Sequence, residues 1–161
     1  MIRPCSSADL DTIDIIINEA AEAYRDVIPA DCWHEPYMTR AHLEEEIMAR
    51  VAFQGYEDEG VLVGVMGLQK SRDATLIRHA YVRSSHQGRG IGGALMSALT
   101  SGSTGPLLVG TWAAATWAIR FYEKHGFQLA TPEETDRRLR LYWTVSPRQR
   151  ETSVVLTRSL T

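Results

Sequence analysis

Apolar side chains near the N-terminus are spaced first as in a strand and then as in a helix. The opening MIRP predicts a short strand, and Ser6 follows as a candidate helix N-cap with Asp9 in the position of its capping-box partner. Apolar side chains then recur at helical spacing: Leu10, Ile13, Ile17, Ala20 and Tyr24. The pattern predicts a strand followed by an amphipathic helix.

A loop, a second helix and a hairpin are predicted next. Two prolines between residues 25 and 38 favour a loop, and Thr39 then precedes a helix that turns Leu43 and Ile47 inward. Apolar runs on either side of the turn-like EDEG predict an antiparallel hairpin over residues 51–68.

Strands and helices alternate through the rest of the chain. We predict a strand at 74–82, a helix opened by HQGRGIGGAL and running through Leu99, a strand at 106–112, a helix at 113–127 ended by Gly126, a short helix at 132–143 and a closing strand at 151–156. Hairpins mixed with strand–helix units predict an α/β fold with helices around a mixed sheet. Because no repeat or linker divides the chain, residues 1–161 are predicted to form one domain.

Composition and charge exclude several classes of protein. A formal net charge of −3 gives no basic footprint for nucleic acid, and no apolar run is long enough to cross a membrane. The N-terminus lacks the apolar segment of a secretory signal, so we expect a cytoplasmic protein. Cys5 and Cys32 lack the spacing of a metal site and fit reduced thiols, with a disulfide as the alternative. No metal is expected.

The glycine-rich stretch from His86 to Leu95 admits several interpretations. Gly88, Gly90 and Gly93 satisfy G-x-G-x-x-G, but the dinucleotide fingerprint also needs an acid about 20 residues on, and the next strand ends VGTW without one. The phosphate loop G-x-x-x-x-G-K-[ST] is absent. A turn that merely enters a helix is a further alternative.

A different motif, aligned to the same stretch, resembles that of a known family. Residues 87–92 read Q-x-x-G-x-G between a strand and a helix, and residues 117–127 read WAIRFYEKHGF. Together they resemble the pyrophosphate-binding motif and the A-x-x-F-Y-E-K-x-G-F helix end of the GNAT superfamily of acyl-CoA N-acyltransferases. The resemblance extends to the order of elements over nearly the whole chain. It implies a central mixed, largely antiparallel sheet flanked by helices.

The resemblance also implies a site for acetyl-CoA as co-substrate. Unpaired N–H groups at a helix start suit an anion, and glycines let them reach phosphate oxygens. The residues implied to hold the coenzyme are Ala80, Tyr81 and Val82, along the pantetheine arm, and Gln87, Gly88, Arg89, Gly90, Ile91, Gly92 and Gly93, around the pyrophosphate.

Tyr122 occupies the position of the tyrosine that acts as general acid in many members of this family. A phenol can protonate a leaving thiolate, and the alternative is a packed aromatic ring. Two positions depart from the family pattern. Ala115 stands where an asparagine is frequent, and Leu76 stands where many members carry a glutamate that acts as base through water.

The base and the acceptor pocket are therefore the least determined parts of the site. His79 has the intrinsic pKa of a base near neutrality, and the alternative is a structural histidine. Arg78 is a candidate for binding an acidic group of the acceptor, or for pairing with a buried acid. By resemblance, Trp33, His34 and Glu35 lie where the family builds its acceptor pocket.

These residues together predict an N-acetyltransferase that acts on the primary amine of a small molecule, by direct transfer in a ternary complex. A coenzyme A-binding sensor without catalysis is one alternative, motivated by Ala115 and the missing glutamate. Acetylation of a protein or peptide is another. Many members of the family are dimers, so a homodimer is possible.

Overall fold

The computed structural model describes residues 1–159. Its seven strands are β1 Ile2–Pro4, β2 Ala52–Asp58, β3 Val61–Ser71, β4 Ala74–Val82, β5 Leu107–Trp112, β6 Gln128–Leu129 and β7 Ser153–Arg158. Its α-helices are α1 Leu10–Ala20, α2 Arg40–Met48, α3 Ile91–Thr100, α4 Thr116–Lys124, α5 Pro132–Tyr142 and α6 Pro147–Glu151.

The strands form one mixed sheet in the order β1-β2-β3-β4-β5-β7-β6. Adjacent strands are antiparallel except β4 and β5, which run parallel. Residues Thr75–Ile77 of β4 pair with Leu107–Val109 of β5. This confirms the predicted mixed, largely antiparallel sheet flanked by helices.

Helices cover both faces of the sheet, and side chains of β3 join the core on each face. Val63 and Met66 join the core beneath α3 and α4, whereas Leu62 and Val65 join the core beneath α1 and α2. Leu76 lies in a smaller cluster with α5.

Local capping chemistry sets several of the predicted element ends. Ser6 and Asp9 form the predicted capping box, and the Thr39 hydroxyl accepts from the His42 N–H at the start of α2. One expectation about α2 is wrong: Leu43 is fully buried, but Ile47 is 40% exposed. The short β6 and α6 were not predicted. No helix within residues 1–159 has the length and apolar character needed to cross a membrane.

Candidate active site

The glycine-rich turn leads into the N-terminus of α3 through two residues in the left-handed region. Gly88 has φ +78° and Gly90 has φ +79°, a conformation that glycine adopts without strain. Gly90 is the N-cap and provides no side chain to satisfy the first helical N–H groups. By helical geometry, the N–H groups of Ile91, Gly92 and Gly93 have no acceptor inside the helix and point out of its N-terminal end.

The other two glycines of the stretch have a packing role. A Cβ on Gly92 would lie 3.1 Å from Cε1 of Phe121, and one on Gly93 would lie 3.2 Å from Cε1 of His125. Both contacts are tighter than ordinary van der Waals distance, so these glycines allow α4 to approach α3 closely.

Strand β4 supplies a second wall of the site, at the place where it separates from β5. Beyond Ile77 the described part of the chain contains no further β4–β5 pair, so the edge that carries Ala80, Tyr81 and Val82 is open on that side. The Gln87 side chain donates to the Val82 carbonyl oxygen at 3.1 Å, which ties the glycine-rich turn to the strand end.

A β-bulge interrupts β4 at His79. Val65 pairs with Tyr81 but Gly67 pairs with Arg78, so two residues of β4 lie opposite one residue of β3. His79 has φ +54°, which is unusual for a residue with a side chain. Its ring stacks on Phe53 of β2 with the centroids 6.1 Å apart.

The bulge brings His79 to a carboxylate on helix α2. His79 Nε2 lies 2.6 Å from Glu46 Oε2, and the two side chains are 15% and 12% exposed. Burial favours the neutral carboxyl, but the hydrogen bond with His79 and the charges of His79, Arg78 and His42 outweigh it, so the pKa of Glu46 is lowered. An ionised carboxylate only accepts hydrogen bonds, so Nε2 carries the proton of this contact.

Arg78 is held beside this pair. Its Nε donates to Oε1 of Gln69 at 2.7 Å, and its Nη1 lies 3.9 Å from Glu46. The guanidinium lies 6.0 Å from the ring centroid of Trp143, and burial lowers the pKa of Arg78. Its remaining N–H donors are available to a ligand in the cavity that it lines.

A single cavity of about 1550 Å³ joins the glycine-rich turn to the bulge. Its lining includes Gly88, Gly90, Ile91, Gly92 and Gly93 from the turn and α3, Ala80, Tyr81 and Val82 from β4, and His42, Glu46, Arg78 and His79 around the bulge. The cavity exceeds the roughly 300–1,000 Å³ of ordinary small-molecule pockets.

Tyr122 lines the same cavity from α4. It is buried, and its ring packs edge-on against Phe121 and Phe127. Burial, and then the neighbouring Tyr24, raise the pKa of Tyr122. The phenol therefore keeps its proton at neutral pH and can act as a donor.

Aromatic side chains line the cavity beside Tyr122. Tyr24, at the end of the turn that follows α1, lies with its ring centroid 5.5 Å from that of Tyr37 and 5.7 Å from that of Trp117. Trp112 Nε1 donates to the Tyr37 hydroxyl at 2.8 Å. Burial is the main cause that raises the pKa of Tyr37 to about 12, and the electrostatic effect of the nearby Tyr24 adds to it. These rings form a rigid apolar wall with polar tips.

The predicted acceptor loop divides between the cavity and the surface. His34 lines the cavity. Trp33 and Glu35 instead pair on the outside of the loop, where Trp33 Nε1 donates to Glu35 at 3.1 Å and Arg25 covers the indole at 4.6 Å. Arg89 also points away from the cavity lining, 60% exposed and 3.9 Å from Asp58.

The two departures from the family pattern are filled by core residues. Leu76 is fully buried against Leu108 and Tyr142, and Ala115 is fully buried beside Trp112. Neither brings a polar group to the cavity. Both cysteines are free thiols.

Sequence reasoning missed Glu46, which we find at the centre of the polar cluster. The available signal was the pair His42 and Glu46, four residues apart on a predicted helix and therefore on one face. Across residues 1–159, no three side chains of His, Cys, Asp or Glu gather as a metal site would require.

The chain matches the family model described as an acetyltransferase (GNAT) domain over residues 50–129, about half of its length. No curated protein sequence gives a match.

Crystal structures share the fold at low identity. PaiA N-acetyltransferase from Thermoplasma acidophilum, in complex with coenzyme A, is 16% identical with a TM-score of 0.73, and the alignment covers 99% of this chain and 98% of that one. Ribosomal-protein-alanine N-acetyltransferase from Brucella melitensis is 20% identical, with a TM-score of 0.70 and 99% of each chain covered. N-acetylglutamate synthase from Neisseria gonorrhoeae, complexed with coenzyme A and N-acetyl-glutamate, is 22% identical, with a TM-score of 0.66, and the alignment covers all of this chain and 35% of that one.

The family match spans the splayed strands, the glycine-rich turn and the helix of Tyr122, and the fold agrees with it across residues 1–159. The chain therefore belongs to the GNAT family of acetyltransferases.

Proposed function

We propose that the protein transfers the acetyl group of acetyl-CoA to the primary amine of a small molecule, directly in a ternary complex. The observation that carries this proposal is the single cavity that joins the N-terminus of α3 to the polar cluster around His79. One end suits a diphosphate and the other end suits an amine that must lose a proton.

The coenzyme would lie between the splayed strands. Its pyrophosphate would accept hydrogen bonds from the N–H groups at the start of α3, where the helix dipole favours an anion. Its pantetheine amides would pair with the open edge of β4 as an added strand does. The coenzyme A complex of the Thermoplasma PaiA enzyme, which shares this fold, supports the assignment.

The acetyl transfer uses a base and an acid from this chain. His79 takes a proton from the acceptor ammonium, the amine nitrogen bonds to the thioester carbon, and the carbon–sulfur bond breaks. The nitrogen, cationic after its attack, loses its second proton to solvent. The departing thiolate takes the proton of Tyr122, which recovers one from solvent. The products are the N-acetyl amine, coenzyme A and one released proton.

The aromatic lining of the cavity supports a small-molecule acceptor. The rings of Tyr24, Tyr37 and Trp112 wall the cavity on one side, and Arg78 offers a charge to an acidic group on the other. The neighbouring structures named above act on different acceptors, so the fold does not choose among them.

The test is thiol release from acetyl-CoA with a panel of amino acids, polyamines, aminoglycosides, amino-phosphonates and an N-terminal peptide, paired with calorimetry of acetyl-CoA binding. We expect binding together with turnover of at least one small amine. Binding without turnover of any amine would identify a coenzyme sensor, and turnover of the peptide alone would identify a protein acetyltransferase. No binding would refute the coenzyme site.

A further inference from the structure

Helix α2 delivers a carboxylate to the bulge in β4. Glu46 and His79 are 33 residues apart in the chain, yet Glu46 Oε2 lies 2.6 Å from His79 Nε2. The second oxygen of the same carboxylate lies 3.2 Å from His42 Nε2. Both members of the close pair line the cavity.

We propose that Glu46 is the positioning residue of His79, which acts as the base in place of the strand glutamate that the family pattern would put at Leu76. This inference rests on the proposed function, since it supposes acetyl transfer to an amine. With Nε2 donating to Glu46, Nδ1 is the nitrogen left to accept the amine proton. Glu46 takes no proton itself. It fixes the tautomer and compensates the positive charge of the imidazolium while the amine attacks.

The groups around the pair determine the sign of its pH dependence. Helix α2 contributes Glu46 and His42, β4 contributes Arg78 at 3.9 Å from Glu46, and β2 contributes the uncharged ring of Phe53. In β3, Gln69 holds Arg78 and carries no charge. Glu46 is thus the negative group of the cluster. Without it, His79 would face the positive Arg78, and the imidazolium would be disfavoured.

Substitution of Glu46 by glutamine should therefore move the pH–rate profile. With the negative charge beside the imidazole removed, the acidic limb of kcat/KM should move to lower pH. The plateau should fall about tenfold to hundredfold, because the remaining base is weaker and no longer oriented, and base catalysis as a whole is worth about 10²–10⁴-fold. The assay is initial-rate thiol release between pH 5.5 and 9 with the most active amine of the panel.

A double-mutant cycle distinguishes positioning from a structural role. If Glu46 acts through the imidazole, Glu46→Gln should cost nothing further in the His79→Gln background. Glu45→Gln is the matched control, because Glu45 neighbours Glu46 on α2, is exposed and should keep the wild-type profile. Glu46→Asp, which keeps the charge, should hold the position of the acidic limb at a lower plateau. It decides the question if the glutamine variant does not fold.

Additive losses in the cycle, or an unchanged profile in Glu46→Gln, would overturn the role of Glu46. An inactive wild type would instead reject the proposed function, so the two failures are distinguishable.

Discussion

Replacing Tyr122 with phenylalanine removes one oxygen from the wall of the cavity. Only 7% of the residue is exposed, and its contacts with Phe121 and Phe127 are made by the ring and not by the hydroxyl. No hydrogen bond joins that hydroxyl to another of residues 1–159, so the substitution leaves no buried partner unsatisfied. We expect the free energy of unfolding to change by less than about 1 kcal/mol. The dissociation constant of acetyl-CoA should also be kept.

Turnover should fall much further than stability. A general acid is worth about 10²–10⁴-fold in rate, which corresponds to about 2.7–5.5 kcal/mol in the activation barrier. The raised pKa of Tyr122 holds the proton on the phenol until negative charge develops on sulfur. Because that charge is absent in the ground state, the hydroxyl stabilises the transition state selectively, and the loss should appear in kcat.

Single-turnover acetyl transfer is the decisive assay, because slow product release can hide a chemical defect in steady-state rates. Tyr142→Phe provides the matched control. The Tyr142 hydroxyl donates to Asp73 at 2.5 Å, and its ring packs with Leu76 away from the cavity. That variant should lose melting temperature and keep the transfer rate. If Tyr122→Phe transfers acetyl as fast as wild type, Tyr122 only packs and the proposed acid is wrong.

Three further predictions test other parts of the molecule. Gly90→Asp places a carboxylate at the start of α3 and should weaken acetyl-CoA binding at least tenfold by calorimetry, about 1.4 kcal/mol. The control variant Gly102→Asp, outside the cavity lining, should bind acetyl-CoA with wild-type affinity. Equal affinities of the two variants would refute the phosphate site. Arg78→Met should change the ranking of acidic against neutral acceptors in the amine panel, and an unchanged ranking would leave Arg78 a structural role. Hydrogen bonds from Arg3 and from the backbone lower the pKa of Asp9 to about 2, below the value of about 3.9 in an unfolded chain, so this carboxylate stabilises the fold above about pH 4 and loses that effect as pH falls towards 2. The difference in unfolding free energy between wild type and Asp9→Asn, measured in urea, should accordingly be constant above about pH 5 and shrink below pH 4, and a difference that does not change with pH would show that the ion pair adds nothing.

Elements governed by local chemistry could be predicted from the sequence. The strand predicted at 74–82 coincides with β4, and α2 begins directly after Thr39 as expected, because strand propensity and helix capping depend on nearby residues. The two-residue β6 was missed because it is too short to show any alternation.

The residues of the candidate site could likewise be predicted where a short local motif marks them. The glycine-rich turn and Tyr122 lie on short motifs, so they could be singled out before the structure was known. Glu46 was missed although it shares one helix face with His42, because its partner His79 lies on a different element and comes close through the fold alone. Gly93 shows the reverse limit: its motif position suggested a phosphate contact, while the structure shows that its missing side chain also makes room for His125.

The bulge in β4 explains why regular alternation of side chains would put His79 on the wrong face of the sheet. In a regular strand, side chains two apart share a face, so His79 would lie on the same face as Ile77, beneath α3. The extra residue instead places Ala80 with Ile77 in that core, and His79 stacks on Phe53 in the core beneath α1 and α2. Only on that second face can it meet Glu46. The left-handed backbone at His79 costs on the order of 1–2 kcal/mol, and the short hydrogen bond with Glu46 offsets part of that cost. One inserted residue thus turns the imidazole toward helix α2 and returns the following residues to the open edge of β4. The polar cluster and the groove beside it depend on the same backbone irregularity.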